Sequence, residues 1–190
     1  VDDLISLLNS MGAKIKRVKE KTIVIDGVKK LRGTDYKIMF DRNEAVTFAI
    51  AAYVTKGDIV ILDIDTNSIQ LFLDKLEAAQ AQFEVESNGI RFFNHSSYKA
   101  TDVVTGPFPA FMTDWQAPWA LFATQAKGVS TIHETVFESR FGYVSELRKM
   151  GAKIDYFNPD VHDPVNFYNF NWEDRNPDFH QAIRIHGPAP

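Results

Sequence analysis

Two short stretches of this chain carry side chains able to do chemistry. The first is Thr113-Asp114, which follows the proline-bearing run Thr105-Gly106-Pro107-Phe108-Pro109 and opens an apolar helical pattern. A carboxylate in that place can accept a proton from a substrate hydroxyl. The plain alternative is a helix N-cap, a role Asp fills often. The second stretch is Thr135-Val136-Phe137-Glu138-Ser139-Arg140, which comes after a strand end. Ligands gather at loops of this kind in α/β folds. Arg140 offers a fork of donors to a phosphate or carboxylate, and its plain alternative is a surface ion pair with Glu138 or Glu134. Asp41 and Arg42 hold the matching place in an earlier segment and have equally plain alternatives. A cleft around Asp114, Val136 and Arg140 is the candidate site.

Other site chemistries find no support. His95, His133, His162, His180 and His186 are scattered, and no pair has the i, i+4 spacing of a helical zinc site, so no metal is assigned. There is no phosphate-binding glycine loop and no dinucleotide fingerprint, and no cofactor is assigned. With no cysteine, thiolate ligands, a Cys nucleophile and disulfides are excluded from this segment. Phe167, Tyr168, Phe170 and Trp172 can stack on a base, but packing of their own long loop is the simpler role.

The elements that position these residues repeat. LISLLNSMGAKI (residues 4–15), LFLDKLEAAQAQFEV (71–85) and VSELRKMGAKI (144–154) each run from a helix through a break into a strand, with Gly12, Gln80 and Gly151 at the break. The period is roughly 70 residues. DRNEAVTFAIAAYVTKGDIVI from Asp41 and DWQAPWALFATQAKGVSTI from Asp114 alternate with them. Asp2 or Asp3 is expected to cap the first helix and Gly12 to end it. Strands are expected over 15–18, 22–25, 36–40, 59–62, 83–85, 90–93, 103–104, 130–132 and 182–185. Asp26-Gly27 reads as a turn and Ser87-Asn88-Gly89 as a hairpin. The run at 59–62 reads as a strand buried on both faces. Helices are expected over 43–54, with Thr47, Phe48, Ala51 and Ala52 inward, over 67–79, with Leu71, Phe72 and Leu76 inward, up to about Ala126, and over 141–150. Residues 156–179 read as irregular, and a loop so long is functional or an ordered insertion. The insertion's aromatics are expected to cover the open edge of a domain. The class is α/β, built from repeated β-α-β-α-β-β units.

The chain has 190 residues, enough for one domain or one and part of another, and 45% of them are hydrophobic. A net charge of -4 argues against a nucleic-acid partner. No apolar run is long enough to span a bilayer, so neither a membrane partner nor a signal peptide is expected, and a cytoplasmic location is the default. Val1 enters a helix almost at once and the chain stops soon after a strand, which reads as an internal segment of a longer protein.

LLNSMGAKI (7–15), DRNEAVTFAIAA (41–52), PFPAFMTDWQAPWA (107–120), GVSTIHETVFESRF (128–141), ELRKMGAKI (146–154) and AIRIHGP (182–188) together carry a resemblance. The chain resembles the UDP-N-acetylglucosamine 1-carboxyvinyltransferases of the enolpyruvyl transferase family. The resemblance implies two inverse α/β barrel-like domains, each of three β-α-β-α-β-β units. Residues 1–40 would end the first domain, and 41–190 would be about two of three units of the second. It implies transfer of the enolpyruvyl group of phosphoenolpyruvate to the 3-hydroxyl of UDP-N-acetylglucosamine, the first committed step of peptidoglycan precursor synthesis. These two small molecules and the missing flanks of the chain are the implied partners. By resemblance, Asp114 contacts and deprotonates the sugar hydroxyl, the backbone of Val136 touches the sugar, and Thr113, Phe137 and Arg140 border the site. The family's Lys-Asn pair, its mobile-loop Cys or Asp and its phosphate-binding arginines fall outside these residues, so the piece alone is expected to be inactive. The rival readings are a 3-phosphoshikimate enolpyruvyl transferase and a non-catalytic nucleotide-sugar-binding paralogue.

Overall fold

The computed structural model describes residues 1–19, 21–94 and 97–189; His95 and Pro190 lie outside the described residues. The chain forms two compact units, Val1–Asp41 and Arg42–Pro190.

In the first unit, α1 (Asp2–Ser10) leads through a break to β1 (Lys14–Lys19), which pairs antiparallel with β2 (Thr22–Asp26). Gly27 lies beyond β2 and is not a turn; the hairpin reverses between Lys19 and Thr22. Neither Asp2 nor Asp3 caps α1. Asp2 pairs instead with Arg17 at 2.8 Å. Asp3 accepts from the Tyr36 hydroxyl at 2.9 Å and the Met39 N–H at 3.1 Å. That anchoring explains why the strand expected over 36–40 is absent: the segment takes its bonds from a helix-end carboxylate rather than from a ladder.

The second unit begins with α2 (Arg42–Thr55), β3 (Asp58–Leu62) and a 3₁₀ turn over Thr66–Ile69 that runs into α3 (Gln70–Ala78). The hairpin β4 (Phe83–Glu86) and β5 (Gly89–Phe93) follows, then β6 (Val103–Gly106) and the short β7 (Phe111–Met112). A 3₁₀ turn over Thr113–Trp115 opens α4 (Gln116–Ala123), and β8 (Gly128–His133), α5 (Val144–Lys149), β9 (Lys153–Phe157), α6 (Pro164–Phe167) and β10 (Ala182–Gly187) complete it. The strand orders are β3-β5-β4 and β7-β6-β8-β10-β9. β6 runs parallel to β8, and β10 lies antiparallel between β8 and β9. The run β6-α4-β8-α5-β9-β10 is therefore one β-α-β-α-β-β unit. The run α2-β3-α3-β4-β5 is a second without its first strand, and α1-β1-β2 repeats the closing half.

The repeated joints share one hydrogen-bond pattern. Past α1, α3 and α5, the N–H groups of Ala13, Ala81 and Ala152 reach back to Leu8 O, Leu76 O and Leu147 O at 2.9, 2.9 and 3.0 Å. The residue before each of these takes a left-handed backbone: Gly12 at φ 99, Gln80 at φ 58 and Gly151 at φ 99. This is the glycine-favouring close of a helix. Asn9 then bonds Ile15 O at 2.8 Å, and Arg148 bonds Ile154 O at 3.0 Å, so a side chain three residues before the glycine pins the next strand in both copies.

Several inward faces differ from the sequence reading. α2 buries Ala45, Val46, Ala49, Ile50, Ala52 and Tyr53, while Phe48 is 59% exposed. The helix is apolar around most of its circumference, so periodicity does not single out one face. In α3 it is Leu73, not Leu71, that joins Phe72 and Leu76 inside. β3 is an edge strand with alternating exposure, not one covered on both faces. The open face of its sheet carries Arg91, paired with Asp58 at 2.6 Å and Glu84 at 3.2 Å. α4 stops at Ala123, α5 begins at Val144, and Thr105 and Gly106 belong to β6.

The core of this unit is aromatic. Trp115 sits edge-on to Phe72 and Phe111, with ring centres 6.1 and 5.5 Å away, and Trp119 fills the next turn against the same two rings. Burial of rings this large dominates the packing energy. Gln80→Gly should stabilise the protein by about 0.5–1 kcal/mol, because a left-handed backbone strains any residue with a Cβ. A urea melt checks this, and the same substitution made at Ala78 inside α3 should destabilise.

Candidate active site

Burial of Trp115 sets the direction of its neighbours. Thr113 and Asp114 precede it on the same tight turn, so their side chains face away from the rings and toward the end of β8. There the chain passes from His133 to Glu134, whose side chain is 0% exposed. A buried carboxylate must be fully hydrogen-bonded to be tolerated. One Glu134 oxygen accepts from the Val136 N–H at 2.7 Å and the Phe137 N–H at 3.1 Å. The other accepts from the Thr113 hydroxyl at 2.8 Å and from the Gln116 amide. Gln116 is oriented in turn by the Tyr143 hydroxyl, which donates to its carbonyl oxygen at 2.9 Å. Burial, and after it the charge of Glu134, pushes the Tyr143 phenol well above its ordinary value, so it stays a donor.

Arg140 closes the arrangement. It donates to Thr113 Oγ1 at 3.1 Å and to Asp114 Oδ1 at 2.7 Å, and its guanidinium lies 5.1 Å from the centre of the Phe137 ring. Its ion-pair partner is thus Asp114, rather than Glu138 or Glu134. Both side chains of the pair are 40% exposed, so the pair fixes orientation more than it adds stability. The N-cap alternative for Asp114 does not hold, since neither the 3₁₀ turn nor α4 has a side-chain cap. Of the five residues expected at the site, Thr113, Val136 and Phe137 bond Glu134 directly, and Arg140 and Asp114 join them through Thr113. The arrangement presents a water-facing carboxylate with a cation beside it, on a turn held by a buried charge. Of the earlier pair, Arg42 lies over the Phe108 ring at 4.3 Å, and Asp41 immediately precedes α2.

Glu134, Gln116 and Tyr143 are not picked out by the sequence as members of this arrangement. The one available signal was that Gln116 and Glu134 lie inside the two most distinctive stretches. Thr135 is locked from the β6 side: its N–H donates to Thr105 Oγ1 at 2.9 Å and its hydroxyl to Thr105 O at 2.7 Å. His133 Nε2 meets the Tyr168 hydroxyl at 2.9 Å, and burial pushes its imidazole below the ordinary value. The ring cluster docks on the end of β8 through Phe167 and Tyr168, because a hydroxyl-bearing ring can satisfy the buried imidazole there. Among the described residues, no three His, Cys, Asp or Glu side chains form a metal site, and no helix is long and apolar enough to cross a membrane.

Glu134→Gln should cost about 3 kcal/mol in a denaturant titration, because the new amide turns a donor toward a donor and the remaining bonds lose their charge. By NMR, His133 should titrate below the usual value of about 6.5. The folded state then binds fewer protons than the unfolded chain. This contribution to stability is complete above the unfolded pKa and is lost as pH falls from there through the folded one.

A family model described as EPSP synthase (3-phosphoshikimate 1-carboxyvinyltransferase) matches residues 1–171. The UDP-N-acetylglucosamine 1-carboxyvinyltransferase of Methylacidiphilum infernorum is 42% identical over 155 residues, which is 82% of this chain and 37% of that protein. The protein of the same name from Beijerinckia indica is 44% identical over 153 residues, 80% of this chain and 36% of that protein. The chain thus spans 37% or less of the length of these curated relatives. Among solved structures, the enolpyruvyl transferase NikO from Streptomyces tendae superposes with a TM-score of 0.77 at 23% identity, over 100% of this chain and 40% of that one. EPSP synthase from Acinetobacter baumannii gives 0.51 at 14% identity, over 98% of this chain and 39% of that one. Repeat, sheet order and similarity agree that this chain has the enolpyruvyl transferase fold and belongs to the EPSP synthase (3-phosphoshikimate 1-carboxyvinyltransferase) family.

Proposed function

We propose that this chain is part of a longer enzyme that transfers the enolpyruvyl group of phosphoenolpyruvate to the 3-hydroxyl of UDP-N-acetylglucosamine, opening peptidoglycan precursor synthesis in the cytoplasm. Cell wall biogenesis, cell shape and cell division would depend on that step. The observation that carries the reading is the water-facing Asp114 carboxylate held by Arg140 beside the Glu134-braced turn. The names of the relatives above support the choice of substrate. Residues 1–40 then close the first domain of the whole enzyme, and 41–190 supply about two of the three units of its second.

In this mechanism Asp114 takes the proton of the sugar 3-hydroxyl as that oxygen bonds to C2 of phosphoenolpyruvate. A proton added at C3 completes a tetrahedral intermediate. Loss of that proton and of phosphate then regenerates the double bond, now as an enol ether on the sugar. General-base catalysis of this kind contributes about 100- to 10,000-fold to rate. The N–H of Val136 is committed to Glu134, which leaves its carbonyl as the main-chain partner for the sugar. Phe137 and Thr113 border the same space, and Arg140 keeps the carboxylate aimed. The cations needed for the phosphate and the intermediate belong to parts of the enzyme outside this chain.

The family description names an enzyme of a second substrate, shikimate 3-phosphate, and the full-length protein decides between the two. Phosphate release should require UDP-N-acetylglucosamine; turnover with shikimate 3-phosphate alone would overturn the proposal. Asp114→Asn should lower kcat by about 100-fold or more while the nucleotide sugar still binds in a calorimetric titration. If the wild-type protein binds no nucleotide sugar, the assignment of UDP-N-acetylglucosamine to this site fails. Residues 1–190 alone should release no phosphate.

A further inference from the structure

The insertion after β9 grips the site turn at four successive points. The Tyr168 hydroxyl meets His133 Nε2 at 2.9 Å, immediately before the turn. The Asn169 N–H donates to Thr135 O at 2.7 Å, and the Asn169 side-chain amide reaches the same oxygen at 3.4 Å. Where the segment runs into β10, Gln181 O accepts from the Glu134 N–H at 2.8 Å, one step beyond the Ala182–His133 pair, and Gln181 Nε2 donates to Glu138 O at 3.4 Å. Gln181 is itself placed by its N–H on Asn158 Oδ1, at 3.1 Å. These are not surface grazes: Gln181 is 1% exposed and Tyr168 5%. Tyr168 is held in turn by a flat stack on Trp172, with ring centres 4.5 Å apart and planes 5° apart, and Arg175 covers that ring at 3.5 Å. α6, with Asp163 capping it through Asn166 N–H, delivers the chain to Tyr168.

We infer that residues 158–181 form a strap whose task is to position the Glu134–Phe137 turn, with Tyr168, Asn169 and Gln181 as positioning residues for the ligand-facing backbone of Val136 and Phe137. A turn carrying a ligand contact has to be rigid at the scale of a hydrogen bond, and the contact loses strength when its supports are left loose. β6 holds one side of Thr135, and the strap holds the other. Between them they leave the main chain at 134–138 little freedom, so that one Glu134 oxygen can collect two consecutive N–H groups. The inference rests on the reading of Val136 and Phe137 as sugar-facing, but its structural half is separable from that reading.

The test uses the full-length protein with Tyr168→Phe, which keeps the ring and removes one hydroxyl, and Tyr168→Ala, which removes the anchor. Hydrogen exchange at the amides of Val136 and Phe137 should quicken about threefold in the first and about thirtyfold or more in the second. Amides of the β10 ladder should be unchanged in Tyr168→Phe. KM for UDP-N-acetylglucosamine should rise about three- to tenfold with kcat nearly constant, the signature of lost uniform binding. If Tyr168→Ala does not fold, Tyr168→Phe decides. Unchanged exchange at 136 and 137, or exchange that quickens equally along β9 and β10, overturns the strap. A wild-type protein that binds no nucleotide sugar sinks the proposed function, yet the exchange measurement still decides whether the strap holds the turn.

Discussion

A carboxylate with no access to water organises this part of the molecule. The Glu134 carboxylate is tolerated inside the protein because four donors converge on it, two from the turn that follows it, one from the 3₁₀ turn before α4 and one from the first residue of α4. Removing a charge from water costs several kcal/mol unless such bonds replace the lost hydration. The requirement works in both directions. The carboxylate bends the chain at 134–137 into a compact turn, and the turn's need for a buried acceptor keeps Thr113 and Gln116 in register with β8. Asp114 and Arg140 then have one geometry open to them, because Thr113 already receives Arg140 on its hydroxyl oxygen.

The repeat was readable in the sequence, because a helix that must close and turn into a strand leaves the same chemistry each time. Gly12 and Gly151 announce their joints. Gln80 announces nothing by type and is found only by its place in the period, yet it adopts the same left-handed backbone. That Thr113, Asp114, Val136, Phe137 and Arg140 come together in space is likewise legible, through the two distinctive stretches that contain them. Glu134 was not: a glutamate after an apolar strand reads as solvent-facing, and only the three-dimensional convergence of its donors shows otherwise. The buried face of α2 is not legible in the sequence for a related reason. A helix apolar on most sides gives no preferred direction until its neighbours are known, and these are aromatic rings distant in sequence.

Residues 156–179 show the limit from the other side. Their composition suggested a cover for an exposed edge. What decides their placement is two polar demands, the buried His133 imidazole and the Thr135 carbonyl. Aromatic rings satisfy many surfaces equally well, whereas a buried nitrogen and a carbonyl accept few partners. The stack of Tyr168 on Trp172 then becomes a support for the hydroxyl rather than the reason for the fold.

The turn at 134–138 is assembled from Thr105 on β6, Thr113 in the 3₁₀ turn before α4, Gln116 at the start of α4, Asn169 in the insertion and Gln181 immediately before β10. None of these partners is local. Closing long loops costs chain entropy before any contact repays it, and structures built from distant contacts form slowly. On a ribosome, the helices and the β4–β5 hairpin can form as they emerge, but Glu134 stays without its full set of partners until the chain has been made through Gln181. The order of synthesis therefore delays completion of this polar centre until well after Glu134 itself has been made.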